Sequence, residues 1–406
     1  MRVEIINTGT ELLLGHVTNT HLGFLAQSLF GLGLRVERQV TVPDGVAIAE
    51  ALEQAISRAE LVIVTGGLGP TSDDITREAT SEVFGKKLIF HQEILDGIGV
   101  KFSKRNFAMN DLQRAQAMVP EGGVVLENAN GTAPGLIVEN ERTVAVLLPG
   151  PPNELRPMWE KEALPWLRKR FSTSLGTVHE VSLRVLGLGE TKVQILLEDK
   201  VKALGPIEVG YCARPGEMDL RLIAADEKLV QQAGALARKT LGDTIYAEGS
   251  ETMEQAVVRI ARAAGKTIAT AESCTGGLVA SRITNVSGSS EMFRYGWVTY
   301  ANEAKTAELG VPVELLDKHG AVSAEVAQAM AEGALQRSGA DLAVAVTGIA
   351  GPTGGTVEKP VGLVYFGLAV KNKTTQVLQK NLSTQREVFK YMASQVALDL
   401  VRLAVR

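Results

Sequence analysis

KTIATAESCTGGLVASR, residues 266–282, joins an apolar run to the start of a helical pattern. The run Thr267–Ala271 predicts a buried strand, and Leu278–Ile283 predicts the first turns of a helix. Small hydroxyl residues and glycines fill the turn between them. Such a turn can hold a nucleophile in a fixed position, and the first turn of a helix leaves backbone N–H groups free for an anion. The sequence therefore predicts a catalytic or anion-binding loop within an α/β domain.

The composition is that of an ordinary α/β protein. The chain has 406 residues, of which 45% are hydrophobic and 5% aromatic, and two or three domains are expected. The net charge of −4 gives no reason to expect nucleic-acid binding. Cys212 and Cys274 lie far apart and make neither a disulfide framework nor a zinc site. This cysteine usage favours a reducing cytoplasm, and neither a signal-peptide segment nor a membrane-spanning apolar run is predicted.

Alternating strand and helix patterns open the chain. Strands are predicted at Val3–Asn7, Arg35–Val42 and Leu61–Thr65. Helices are predicted between them, at Asn19–Leu32 and Ala47–Arg58. This βαβαβ order predicts a parallel sheet that is covered on both faces and binds ligands at the carboxyl ends of its strands.

A loop rich in glycine and aspartate, GGLGPTSDD (Gly66–Asp74), follows the third of these strands. Glycines let a phosphate approach the backbone closely, and Asp73 and Asp74 could hold a divalent cation through oxygen ligands. The alternative is that both aspartates only complement the dipole of the following helix. The loop lacks the Walker lysine, so it is not a P-loop.

A nucleophilic Ser273 would need a base. Of the five histidines only His319 lies in the last domain, in a predicted surface turn, which disfavours a Ser-His-Asp triad. Lys305 lies in a predicted helix, Asn302–Leu309, that follows a strand ending at Tyr300. A strand end and a helix start would bring Lys305 to the sheet edge of Ser273. Burial and the helix dipole would both lower the lysine pKa.

Each of these residues also has a plainer interpretation. Ser273 could be a helix N-cap, and Lys305 an exposed lysine paired with Glu303 or Glu308. Cys274 could be the nucleophile, or a buried cysteine, which is the commoner case. The residues alone leave these alternatives open.

Motifs along the whole chain resemble those of the CinA family. Residues 1–170 resemble its molybdopterin-binding-like domain, through GTELL (9–13), TNT (18–20), GGLGPTSDD (66–74), NGTAPG (130–135) and PGPPNEL (149–155). Residues 175–245, a predicted βαββα unit, resemble its KH-type middle domain. Residues 250–406 resemble its nicotinamide-nucleotide amidase domain, through AESCTGG (271–277), VTYANEAK (298–305), HGAVS (319–323), TGIAGPTGG (347–355) and EKPVG (358–362).

The resemblance implies an α/β fold in three parts: a doubly wound, mostly parallel sheet, a small α+β unit and a three-layer amidase domain. For the last domain it implies hydrolysis of the carboxamide of nicotinamide mononucleotide to nicotinate mononucleotide and ammonia, without a cofactor. Ser273 would be the nucleophile and Lys305 its base. Residues placed with the substrate are Tyr300, Thr275, Gly276, Gly277, Thr347, Gly348, Gly351 and Lys359.

For the first domain the resemblance implies a metal-dependent ADP-ribose pyrophosphatase. Asp73 and Asp74 would hold Mg²⁺ or a similar divalent cation. The residues on the nucleotide side would be Glu11, Asn19, Gly66, Gly67 and Gly69. We also expect a homodimer that binds small nucleotides, with no membrane or nucleic-acid partner. The alternative function is that of a non-catalytic molybdopterin- or nucleotide-binding scaffold.

The middle unit lacks the features that RNA binding needs. GLGE (Gly187–Glu190) is not the GXXG loop with which a KH domain grips RNA, and no basic stripe accompanies it. A spacer or dimerisation role is therefore favoured. A short polar hinge, Ala247–Thr252, is predicted before the last domain.

Overall fold

The computed structural model describes residues 1–104, 111–172 and 175–406. The chain divides into two compact units, Met1–Val178 and His179–Arg406. None of the described helices is both long enough and apolar enough to span a bilayer.

The first unit is built on a mostly parallel sheet, which confirms the predicted fold class. Its three central strands are buried along their whole length, as expected when helices cover both faces. Their carboxyl ends lie at one edge, because the three strands pair in parallel. In the described chain the strand order is Val36–Val42, Val3–Thr8, Leu61–Thr65, Val144–Leu148, Gly135–Glu139 and Val124–Leu126, and the last two strands join antiparallel.

Helices pack on both faces of this sheet. Leu25 and Leu29 contribute to the core on one face, and Ile48 and Leu52 to the core on the other. The α-helices are Thr10–Leu13, His21–Phe30, Ala47–Ile56, Thr76–Val83, Gln92–Lys104, Pro152–Met158 and Leu164–Arg170, with a π-helical turn at Trp159–Ala163 between the last two. A 3-10 helix, Asp111–Ala117, leads into a small antiparallel ribbon of Met118–Pro120 and Leu88–Phe90.

The second unit begins with the middle sheet, which is antiparallel. Among the described residues its order is Glu208–Arg214, Glu217–Ala224, His179–Leu186 and Ile245–Glu248, with helices Glu190–Lys202 and Glu227–Leu241. The predicted hinge Ala247–Thr252 is wrong in its first two residues. Ala247 and Glu248 belong to a short strand that pairs with His179–Leu186, and Ala247 is buried. Tertiary pairing here decides the structure of a segment too short to show a strand pattern.

A second, larger sheet carries the last domain. Its parallel strands Ile268–Glu272, Phe293–Val298 and Leu342–Gly348 end at the same edge. An antiparallel hairpin, Leu363–Val370 and Gln376–Asn381, extends it. The described helices are Met253–Ala263, Leu278–Thr284, Asn302–Leu309, Val313–His319, Ala324–Ser338 and Arg386–Val405.

Candidate functional site

Ser273 directly follows the buried strand Ile268–Glu272. Its amide donates to the carbonyl of Val346 at 2.9 Å, so the serine stays anchored to the neighbouring strand. Gly276 and Gly277 then take φ values of +63° and +89°, which side chains other than glycine rarely adopt. This backbone turns the chain into the next helix and leaves Ser273 half-buried at the sheet edge.

Glu272, and not Ser273, caps the helix Leu278–Thr284. Its buried carboxylate accepts the amide hydrogens of Val279 and Ala280 at 3.0 and 2.8 Å. A negative charge is stabilised at this end of a helix. The N-cap interpretation of Ser273 is therefore wrong, and its hydroxyl is available for chemistry.

Lys305 lies against that hydroxyl. Its Nζ is 3.3 Å from Ser273 Oγ, and it also contacts the carbonyl oxygens of Thr299 at 2.9 Å and Tyr300 at 3.2 Å. The lysine reaches this position because its helix begins four residues after the strand Phe293–Val298 ends. The structure thus brings the two predicted residues together.

Burial shifts the amine of Lys305 towards its neutral form. The side chain is only 1% exposed, and burial lowers its pKa from the ordinary lysine value. Interactions with Cys274 and Glu303 oppose this lowering of the pKa only in part. Within the described residues no carboxylate lies at ion-pair distance from Nζ, so the interpretation of an exposed, paired lysine is wrong.

Two other candidates for this chemistry have different environments. Cys274 is buried, and burial raises its thiol pKa to about 12, so the thiol stays protonated near neutral pH. His319 Nδ1 lies 3.3 Å from a carboxylate oxygen of Glu325. A protonated thiol is a poor nucleophile, and the contact of His319 is with Glu325, whereas Lys305 contacts the Ser273 hydroxyl.

Sequence reasoning missed two cations on the C-terminal helix. Arg386 donates to the hydroxyl of Tyr300 and to the carbonyl of Gly351, both at 2.9 Å. Lys390 Nζ lies 3.5 Å from the point where a Cβ on Gly276 would sit. Positive charge is disfavoured at the start of a helix. Two cations in the first two turns of this helix could therefore have indicated a functional role from the sequence alone.

Three other residues that were predicted to bind substrate form contacts within the fold instead. Thr347 donates to the carbonyl of Ala321 at 2.7 Å, and Lys359 donates to that of His319 at 2.6 Å, so both hold one loop. A Cβ on Gly348 would lie 2.8 Å from the carbonyl oxygen of Leu363, which makes glycine a packing requirement there.

The predicted backbone donors divide in a similar way. The Gly276 amide donates to the carbonyl of Ser273 at 3.0 Å and is therefore already used. The Gly277 amide donates to no backbone carbonyl in the described chain and stays open for a ligand oxygen. The Thr275 side chain is buried, and its hydroxyl lacks a hydrogen-bond partner among the described residues.

The first unit holds a cavity of about 400 Å³ at the carboxyl edge of its sheet. Asn19 is not in its lining, because its side chain accepts the amide hydrogen of His21 at 2.9 Å at the start of a helix. The other predicted residues do line it: Glu11, Gly66, Gly67, Gly69, Asp73 and Asp74.

The glycines of this cavity are required by close packing. A Cβ on Gly66 would lie 2.5 Å from Thr8 Oγ1, and one on Gly67 would lie 2.2 Å from Thr76 Oγ1. Both glycines also have positive φ values, +98° and +66°. The loop therefore presents bare backbone to the cavity, as phosphate binding would need.

The carboxylates do not build a cation site by themselves. In the part of the chain that the structure describes, no three His, Cys, Asp or Glu side chains are grouped so that they could hold a metal ion. Asp74 accepts from the amide of Thr71 at 3.0 Å and also from its hydroxyl, so it serves the loop. Oxygen donors such as Asp73 suit Mg²⁺ chemically, but Mg²⁺ often takes much of its coordination from substrate phosphates.

Gln116 is a further cavity residue that the sequence did not single out. It is 1% exposed, and neither its side-chain nitrogen nor its oxygen has a hydrogen-bond partner among the described residues. The Thr8 hydroxyl, in the same lining, is also unpartnered there. An unsatisfied buried polar group costs about 1–3 kcal/mol. A ligand that forms hydrogen bonds with Gln116 and Thr8 would remove this cost.

Comparison with known proteins divides the chain into three matched regions. Residues 4–169 match the model described as "Probable molybdopterin binding domain". Residues 181–247 match the "Damage-inducible protein CinA KH domain", and residues 250–405 the "CinA C-terminal domain".

Two curated relatives match along nearly the whole length. A CinA-like protein from Akkermansia muciniphila is 46% identical over 98% of this chain and 96% of its own. A CinA-like protein from Kosmotoga olearia is 44% identical over 100% of this chain and 99% of its own. Among solved structures, a competence/damage inducible protein from Agrobacterium tumefaciens is 42% identical, with a TM-score of 0.37, and covers 38% of this chain and 93% of its own.

The fold and the last-domain site define a multidomain α/β protein with a candidate catalytic serine–lysine pair. The full-length matches take the identification further. The chain belongs to the CinA family.

Proposed function

We propose that the last domain hydrolyses the carboxamide of nicotinamide mononucleotide and releases nicotinate mononucleotide and ammonia. The observation that carries this proposal is the 3.3 Å contact between Ser273 Oγ and Lys305 Nζ at a sheet edge. The family resemblance supplies the substrate, and the geometry supplies the nucleophile and the base.

The three oxygen neighbours of Lys305 are compatible with a role as the base. A neutral amine has two hydrogens and one lone pair. In that form the amine can donate its hydrogens to the carbonyls of Thr299 and Tyr300 and accept the hydroxyl hydrogen of Ser273 on its lone pair. At an ordinary lysine pKa only about one amine in a few thousand is neutral at pH 7, so the lowered pKa directly increases the active fraction.

The reaction then proceeds through an acyl-serine. Ser273 Oγ bonds to the carboxamide carbon while Lys305 takes its proton. The resulting oxyanion can accept the open amide hydrogen of Gly277. The carbon–nitrogen bond breaks, and Lys305 returns the proton to the leaving ammonia. Water next attacks the acyl carbon and gives a proton to Lys305, which passes it to the departing Ser273 oxygen.

The two cations of the C-terminal helix suit a nucleotide substrate. Arg386 and Lys390 lie on successive turns, close to Gly351 and Gly276 respectively. A phosphate can accept hydrogen bonds from both side chains, and guanidinium groups match its geometry. We propose that they bind the phosphate of the mononucleotide.

Ammonia release from the mononucleotide tests this function. Wild type should release ammonia, and Ser273→Ala should not. Cys274→Ala is the matched control, because this neighbouring side chain is buried and takes no part in the reaction. Equal release by wild type and Ser273→Ala would refute the assignment of Ser273 as the nucleophile.

A second activity is proposed for the first unit, namely cleavage of the diphosphate of ADP-ribose. The bare glycine backbone of the cavity supports it. Arg77, which is fully buried, donates to the carbonyl of Leu68 at 3.0 Å and so holds this backbone in place, while its charge is paired with Glu78 at 3.6 Å. A divalent cation would enter with the diphosphate.

The rival for this unit is a pterin-binding scaffold, which the match of residues 4–169 favours. Thermal shifts decide between the two. ADP-ribose with Mg²⁺ should raise the melting temperature of the full-length protein more than a phosphorylated pterin does. The reverse order would favour the scaffold.

A further inference from the structure

A buried carboxylate joins the middle sheet to the C-terminal helix. Glu217, on the strand Glu217–Ala224, is 5% exposed. It accepts the hydroxyl of Tyr246 from its own sheet at 2.6 Å. From the C-terminal helix it accepts the hydroxyl of Tyr391 at 3.1 Å and the side-chain amide of Gln395. Three donors from two domains thus satisfy one carboxylate.

The network continues to the helix that follows the Ser273 loop. The amide oxygen of Gln395 accepts from Arg282, which is nearly buried. Arg282 also donates to Ser394 Oγ and to a carboxylate oxygen of Glu254, both at 2.7 Å. Its guanidinium lies 4.8 Å from the ring centroid of Tyr391. Because Arg282 belongs to the helix Leu278–Thr284, the side chains of Gln395 and Arg282 connect Glu217 to the helix that follows Ser273.

The same C-terminal helix carries the cations of the proposed substrate site. Arg386 lies five residues before Tyr391, and Lys390 directly precedes Tyr391. A shift of this helix would move both cations relative to Gly276 and Gly351. Glu217 therefore acts on two elements of the site, the helix after Ser273 and the helix that bears the cations.

We propose that Glu217 of the middle domain is a positioning residue for the amidase site and holds the C-terminal helix in register for the substrate phosphate. This inference rests on the proposed amidase function. It gives the middle domain a role in substrate affinity that RNA binding or spacing would not explain.

Replacing Glu217 leaves buried donors without acceptors. Glu217→Leu removes every acceptor, so Tyr391 and Gln395 lose their hold on the middle sheet. Glu217→Gln keeps one oxygen acceptor and nearly the same volume, and should restore much of the positioning. Asp219→Asn is the matched control. Asp219 lies on the same strand and is similarly buried, but its partners, Arg184 and Arg214, belong to the middle sheet.

Steady-state kinetics of the full-length protein test the proposal with two substrates. For the mononucleotide, Glu217→Leu should raise KM about tenfold and leave kcat within about twofold, because the cations act through binding. Glu217→Gln should recover most of the affinity. For nicotinamide riboside, which lacks the phosphate, wild type and Glu217→Leu should have equal KM values.

Several outcomes would overturn the inference. An unchanged KM in Glu217→Leu, an equal rise in Asp219→Asn, or the same effect on the riboside would each mean that Glu217 is only structural. Hydrogen exchange separates this failure from failure of the amidase assignment. Glu217→Leu, unlike Asp219→Asn, should speed exchange in residues 278–284 and 386–395 even if wild type releases no ammonia, and equal exchange would refute the positioning role.

Discussion

The two candidate sites differ in how their polar atoms are satisfied. In the last domain Lys305 has three oxygen neighbours, and the hydroxyl of Ser273 already faces its amine. In the first unit Gln116 and Thr8 are buried without partners among the described residues, and Asp74 is used by its own loop. The first arrangement is assembled before substrate arrives, whereas the second is completed only by what it binds.

Chelation should give the largest contrast between the two sites. A strong chelator should abolish cleavage of ADP-ribose, because its diphosphate would no longer carry a divalent cation into the cavity. Ammonia release from the mononucleotide should be unchanged, because the reaction proposed for that site uses Ser273 and Lys305 and no metal ion. Both activities are measured on one preparation, with excess Mg²⁺ added back as the control. Loss of both activities would refute the division of labour.

Lys305→Met should lower kcat for ammonia release about a thousandfold, within the range expected for loss of a general base. The melting temperature should not fall much, because methionine fills the same volume without a buried amine. Lys318→Met, in a different helix, serves as the control. A fully active Lys305→Met protein would exclude the lysine as the base.

Much of the last-domain site was predictable because it depends on local pattern and on parallel topology. The helix Asn302–Leu309 was predicted at its observed residues, and Ser273 and Lys305 both follow parallel strands that end at one edge. Strands such as Leu61–Thr65 can be recognised in the sequence, because four consecutive apolar residues precede the threonine.

Other parts depend on contacts distant in sequence. Arg386 reaches Tyr300 across 86 positions, and no local pattern encodes that contact. The helix Gln92–Lys104 has two glycines that weaken its signal. Gln116 could not be recognised as a cavity residue from the sequence, because a buried amide that lacks a hydrogen-bond partner is visible only in the folded structure. The homodimer, the cytoplasmic location and the role of Asp73 in cation binding stay predictions.

The pH dependence should follow the amine of Lys305. Burial lowers its pKa, and the base is active when neutral, so kcat should rise with pH and level off above this lowered pKa. Below the plateau the rise should be about tenfold per pH unit, as for a single titrating group. The plateau should begin below the ordinary lysine range. A plateau that begins only in the ordinary lysine range, or a kcat that falls as the pH rises, would contradict this assignment.

The smallest expected effect tests the unsatisfied side of the comparison. Gln116→Leu replaces a buried amide that has no partner among the described residues, so the free energy of unfolding should rise by about 1 kcal/mol. Gln113, in the same 3-10 helix, is also buried but does have an interaction partner and does not line the cavity, so Gln113→Leu should lower stability. Calorimetric melting of both variants beside wild type measures this difference. If Gln116→Leu is the less stable of the two, the amide is already satisfied in solution, and the first cavity is as fully assembled as the last-domain site.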